Sequence, residues 1–143
     1  MEQLIYKVAS NYREIIESIH WSEFPSECQL NYSFPHGACS DVSMLLGKYL
    51  LDKYGIDCEH VTGSTEVAGM VSRSHAWLEV AGYKIDITAD QFEDIDEKVI
   101  LVKTHPLYED YIPNIRRKMS SCFPEELKSS YEVIMEKIED NSY

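Results

Sequence analysis

Residues 74–88, "SHAWLEVAGYKIDIT", alternate between apolar and polar side chains around a central Ala-Gly pair. Ala76, Leu78, Val80, Tyr83, Ile85 and Ile87 share one parity, while His75, Trp77, Glu79, Lys84 and Asp86 share the other. A period of two over that length predicts a hairpin with one face in the core. If Ala81-Gly82 is a two-residue turn, Val80 faces Tyr83, Glu79 faces Lys84, Trp77 faces Asp86 and His75 faces Thr88. Slipping by one residue would mix the two faces, so the pattern fixes the register. Asp86 then becomes the diagonal neighbour of His75, ~7–8 Å away between backbones and within side-chain reach. A carboxylate on one imidazole nitrogen fixes the tautomer and raises the basicity of the other. Asp90 has the same parity and is the reserve acid.

Upstream, "PHGACSDVSMLLGKYLLDKYG" ends a loop and opens a helix. Val42, Leu45, Leu46, Tyr49 and Leu50 form its apolar stripe, and Gly55 is its stop. Cys39 falls at the helix start, where free backbone N–H groups and the positive dipole end favour a thiolate. Gly37 lets the backbone come close, and the Cys39 N–H is placed to donate to an oxyanion. Asp41, in the first turn, supports the dipole. Gln29 and Asn31 are the upstream amides available as a second oxyanion donor, with His36 as a third option. Among the other thiols, Cys28 lies in a loop and Cys58 in or beside a strand. Cys122 also precedes a helix, but acidic neighbours raise its pKa.

The rest of the chain predicts an α+β domain spanning residues 1–143. Leu4, Ile5, Val8, Tyr12, Ile15, Ile16 and Ile19 mark an opening amphipathic helix. "IDCEHVTG" and "KVILVKT" are strand candidates, "STEVAGMVSR" reads as a loop, and a last helix begins at Pro124. A net charge of −12 argues against nucleic acid and against an anionic membrane surface. Four irregularly spaced cysteines, no signal-peptide pattern and no membrane-length apolar run predict a reducing, cytoplasmic setting. An effector delivered without a cleavable signal shares these features.

With Cys39, His75 and Asp86 in that chain order, the sequence resembles the transglutaminase-like core of the papain-like cysteine enzymes. The matching text is "GACSDVSMLLGKYLLDKYGID", "HVTG", "HAWLEV" and "IDIT", covering about residues 37 to 88. The family often places a tryptophan and a proline around its acid, where this chain has Tyr83 and Ile87. The segment "ITADQF" also looks like the ending of some papain-fold toxin and deamidase domains. The resemblance implies a helix carrying the nucleophile, packed on a small antiparallel sheet. It implies Cys39 as nucleophile, His75 as general base, Asp86 as orienting acid and Trp77 lining the site. It further implies thioester chemistry on a protein or peptide substrate, with no metal or cofactor. One triad serves peptidase, amidase, deamidase and transglutaminase alike, and hydrolysis is favoured because no acceptor tunnel is evident.

Two other readings compete. A zinc site from His36, Cys39, Cys58 and His60 has ligand types but lacks the Cys-x-x-Cys pair usual in structural zinc. A non-catalytic binding module would use the acidic surface and the segment "THPLYEDYIPNIRRK", whose tyrosines and arginines suit interfaces. For Tyr108, Tyr111 and Ile112 in that segment, core packing is the favoured reading.

Overall fold

The computed structural model describes residues 1–26, 28, 30, 31 and 33–140. It is an α+β fold, with five α-helices and a five-stranded antiparallel sheet among the described residues. Helix α1 (Glu2–Ser18) buries Ile5, Val8, Ala9, Tyr12 and Ile16 along one side. Helix α2 (Cys39–Tyr54) buries Val42, Leu45, Leu46, Tyr49 and Leu50, and Gly55 closes it in the left-handed conformation at φ 68°. The strands follow as β1 (Glu59–Val67), β2 (Met70–Val80), β3 (Tyr83–Asp86) and β4 (Ile100–Val102). A four-residue helix α3 (Pro106–Glu109) leads to strand β5 (Ile112–Lys118), then α4 (Met119–Cys122) and α5 (Lys128–Asp140). Spatial order in the sheet is β4-β3-β2-β1-β5.

The β2–β3 ribbon has the predicted register, with Val80 opposite Tyr83, Glu79 opposite Lys84 and Leu78 opposite Ile85. Ala81 and Gly82 both have positive φ, 51° and 82°. Two consecutive positive values match the right-handed twist of flanking strands, so this turn ties off a hairpin without splaying it. The residues expected to form a loop at 64–73 form a second hairpin instead, with Val67 opposite Met70. Its turn, Ala68-Gly69, has φ values of 54° and 78°. Both turns follow the same Glu-Val-Ala-Gly text, at 66–69 and 79–82.

The sheet is covered on both faces. Leu78, Ile85 and Ile87 pack with α1, α2 and α5 in the main core. Val61 and Trp77 pack on the other side with Ala89, Ile100, Tyr108 and Tyr111 in a smaller cluster. The polar parity of the ribbon therefore lies beneath the 89–111 segment. Tyr108 and Tyr111 are core, whereas Ile112 is 53% exposed on the edge strand. The terminal helix expected from Pro124 opens as a 3-10 turn at Glu125–Leu127 and continues as α5, with the short α4 before it. Phe123, forced out of helical geometry by the following proline, sits at ψ 120°.

One buried ion pair ties the helical layer to the exit of β3. Arg13 is 4% exposed. It donates to both carboxylate oxygens of Asp90 at 2.7 and 2.8 Å and to the Ile87 carbonyl at 2.6 Å. Asp90 is thus committed to Arg13 and is not the acid of the His75 site. Arg13→Met keeps the buried stem and removes the donors. It is expected to cost about 2 kcal/mol in urea unfolding, since hydrogen bonds to charged groups contribute ~1.5–3 kcal/mol.

Candidate active site

His75 lies near the middle of β2, opposite Gly63 of β1, and is 1% exposed. Its Nε2 sits 2.6 Å from Asp86 Oδ2, joining the two ribbon strands on their polar parity. Asp86 closes β3 and is also 1% exposed. Its other oxygen accepts from the Thr88 N–H at 2.9 Å and the Thr88 hydroxyl at 3.3 Å. The Tyr108 hydroxyl donates to Oδ2 at 2.7 Å. Burial alone would raise the Asp86 pKa, but the imidazole, the Thr88 N–H and Tyr108 hold it below the usual carboxylate value. An ionised, acceptor-only Asp86 requires the proton on His75 Nε2, which leaves Nδ1 as the working nitrogen.

Cys39 begins α2, and its side chain is near enough to His75 to raise the imidazole pKa. Burial pushes the His75 pKa down, but the hydrogen bonds and charges of Asp86 and Cys39 override it and hold the imidazole up at about 9. Helix α2 has no side-chain cap, its N-cap being Ala38. Its first N–H groups are therefore open to a sulfur or oxygen anion. The Ser43 hydroxyl reaches the Ala76 carbonyl at 3.4 Å, fixing the start of α2 against the strand that bears His75. Asp41 acts on the Cys28 thiol through a hydrogen bond and its charge.

Burial disfavours the thiolate form of the other three cysteines. Burial pushes Cys58 up to about 12 and raises Cys28 and Cys122 as well. For Cys122 the sequence expectation holds in direction, but burial outweighs the acidic neighbour Asp57, and Arg117 opposes it.

Aromatic rings encase the imidazole. Phe92 meets it edge-on at 4.9 Å, and Trp77, Tyr111 and Tyr108 lie at 5.8, 6.0 and 6.4 Å. Trp77, expected to line an open site, is 1% exposed and donates from Nε1 to Glu79 at 2.8 Å. It packs against the His75 ring. Gly63 makes room for it, since a Cβ there would sit 2.9 Å from Trp77 Cη2.

Of the two amides expected as oxyanion donors, Gln29 lies outside the described residues. Asn31 is engaged in its own loop, accepting from the Ser33 N–H at 2.9 Å and hydroxyl at 2.6 Å. It borders a hollow with Trp21, Phe24 and Phe34, away from His75. His36 is exposed and turned toward the Ser33 carbonyl. Gln91, which sequence reasoning gave no role, reaches His75 Nδ1 at 3.4 Å and Thr88 Oγ1 at 3.2 Å. It lies within the quoted "ITADQF", so its place in a motif was its one signal. Among the described residues no three His, Cys, Asp or Glu side chains converge as a metal site. A hollow of about 510 Å³ lined by Tyr12, Tyr49, Tyr54 and Ile138 belongs to the helical layer, remote from Cys39. No helix among the described residues is long and apolar enough to cross a membrane. Comparison with models of known families, with curated proteins and with solved structures returned no match.

Proposed function

We propose that this protein is a thiol-dependent acyl-transfer enzyme that hydrolyses an amide bond of a protein or peptide through Cys39, His75 and Asp86. The observation that carries the reading is the buried His75, joined to an ionised Asp86 on one side and to Cys39 at a helix start on the other. We assign the arrangement to a transglutaminase-like, papain-like core. The α2 helix bearing the nucleophile and the antiparallel sheet bearing base and acid support that assignment.

The chemistry follows from the proton positions. The Cys39 proton rests on His75 Nδ1 as a thiolate–imidazolium pair, and Asp86 stabilises the imidazolium through Nε2–H. The thiolate adds to the carboxamide carbon, and the open N–H groups of α2 meet the oxygen that gains the electron pair. Collapse of that adduct breaks the C–N bond, and the imidazolium passes its proton to the leaving nitrogen. Water then resolves the thioester, with His75 as base.

The leaving nitrogen needs a protonated His75, whose pKa is held at about 9. Turnover is expected to hold through neutral pH and to fall as pH rises through about 9. A stopped assay on glutamine-containing peptides across pH 5–11 checks this. The same peptides in ¹⁸O-labelled water test hydrolysis. One labelled oxygen in the product carboxylate is the expected outcome. Incorporation of an added alkylamine in its place would identify amine transfer, and no turnover with either would count against acyl transfer.

A further inference from the structure

Asn31 and His36, two of the oxyanion donors considered upstream of Cys39, are each engaged with Ser33. Tyr111 stands between α3 and β5, with its N–H donating to the Tyr108 carbonyl at 3.1 Å. It is 4% exposed, and its hydroxyl has no hydrogen-bond partner among the described residues. Buried polar groups in folded proteins are almost always paired, and an unpaired one costs ~1–3 kcal/mol. The ring is held in place on several sides. It lies 6.0 Å from His75 and 5.9 Å from Trp77, and the Arg73 guanidinium covers it at 5.7 Å. Gly63 is part of the same cradle, since a Cβ there would meet Tyr111 Cβ at 3.3 Å.

We propose that the Tyr111 hydroxyl is the second hydrogen-bond donor to the oxyanion formed when the Cys39 thiolate adds to a carbonyl carbon. The inference rests on the acyl-transfer reading and deepens it. The ring lies 6.0 Å from the imidazole that serves Cys39, and the Cys39 charge acts on the phenol. An oxyanion donor belongs at such a position. The oxygen of a tetrahedral adduct stands one C–S bond and one C–O bond from the sulfur, and its donor a further ~2.7–3.1 Å away. Burial of the phenol, with the Asp86 and Cys39 charges, raises its pKa against the opposing pull of Arg73, so it stays a proton donor at neutral pH. No proton is transferred. Sulfur bonds to carbon, the C=O π pair moves to oxygen, and Tyr111 O–H and the start of α2 hold that oxygen. When the C–N bond breaks, the pair returns and the hydroxyl is unpaired again.

Two reagents separate this role from others. p-Nitrophenyl acetate acylates Cys39 through a tetrahedral adduct, whereas iodoacetamide alkylates it by displacement with no oxyanion. Both rates are read at Cys39 by peptide mass spectrometry in the full chain, for wild type, His75→Ala and Tyr111→Phe. The variant Tyr111→Phe is expected to lower acylation by roughly 10²-fold, the usual effect of losing one oxyanion donor, with alkylation within about twofold of wild type. Its thermal midpoint should equal or exceed that of wild type, because the lost oxygen has no partner. The proposal is overturned if acylation is unchanged, if both rates fall together, or if the midpoint drops. If wild-type Cys39 acylates no faster than Cys122 and is indifferent to His75, the acyl-transfer reading itself fails. Fast, His75-dependent acylation that ignores Tyr111→Phe removes only the tyrosine.

Discussion

The substitution Asp86→Asn is expected to lower turnover by about 10⁴-fold, the loss seen when a triad acid becomes its amide. Asp86 accepts from four donors: His75 Nε2, the Thr88 N–H, the Thr88 hydroxyl and the Tyr108 hydroxyl. Asparagine has one acceptor oxygen and one donor nitrogen. If the nitrogen faces His75, the imidazole must carry its proton on Nδ1, where the thiol needs a base. If it faces Thr88, it opposes the Thr88 N–H, a donor against a donor. Either way an uncompensated polar group stays buried, and breaking a buried pair costs ~3–5 kcal/mol. The pH dependence has a defined sign. His75 has a folded pKa of about 9 against 6.5, so its contribution is fully present below 6.5 and fades as pH rises through about 9. Asp86 is held below 3.8, so its contribution is present above 3.8 and fades as pH falls through its folded value. The stability gap between wild type and Asp86→Asn should therefore be widest between about pH 4 and 6.5 and narrow at both extremes. Urea unfolding at pH 3, 5, 7 and 10 measures it. A constant gap would show that Asp86 acts by packing alone.

A second large effect is expected from Trp77→Ala, at about 3–5 kcal/mol for a fully buried tryptophan. The indole fills the space above Gly63 and packs on Tyr108 at 5.1 Å and Tyr111 at 5.9 Å. It also donates to Glu79, which Arg116 satisfies from the other side at 2.9 Å. Truncation opens a cavity directly beneath His75, so activity should fall along with stability. Gly63→Ala approaches the same contact from below, pressing a methyl group to 2.9 Å from Trp77 Cη2. It is expected to cost ~1–3 kcal/mol through overpacking. Thermal unfolding with a parallel activity assay separates these variants from those that lose activity alone. Full activity in a stably folded Trp77→Ala protein would mean that His75 is held without the indole.

The alternation in residues 74–88 was enough to read the hairpin, its turn and the juxtaposition of His75 with Asp86, because those contacts are local. The same alternation was silent about what covers the polar parity. Tyr108 and Tyr111 arrive there from beyond β4, and their sequence pattern suits an interface as well as a core. The β1–β2 hairpin escaped notice because Ser64, Thr65 and Glu66 read as loop, although its turn repeats the Val-Ala-Gly of the next one. Gly63 is there for Trp77 and Tyr111, a reason visible only in three dimensions. Asp90 had the right parity for an acid, but Arg13 claims it from a helix 77 residues away. Gln91 and Phe92 reach His75 by way of a 3-10 turn at Ala89–Gln91 that no periodicity announces.

The central claim is that His75 and Cys39 act as a pair. Its most direct test is the alkylation rate of each of the four thiols against pH, read by peptide mass spectrometry, in wild type and in His75→Ala. In wild type, Cys39 should react fastest and keep its rate well below the ~8.5 at which ordinary thiols ionise. Cys28 and Cys58 should stay slow across that range. In His75→Ala, the reactivity of Cys39 at low pH should vanish. Identical Cys39 profiles in the two proteins would contradict the account.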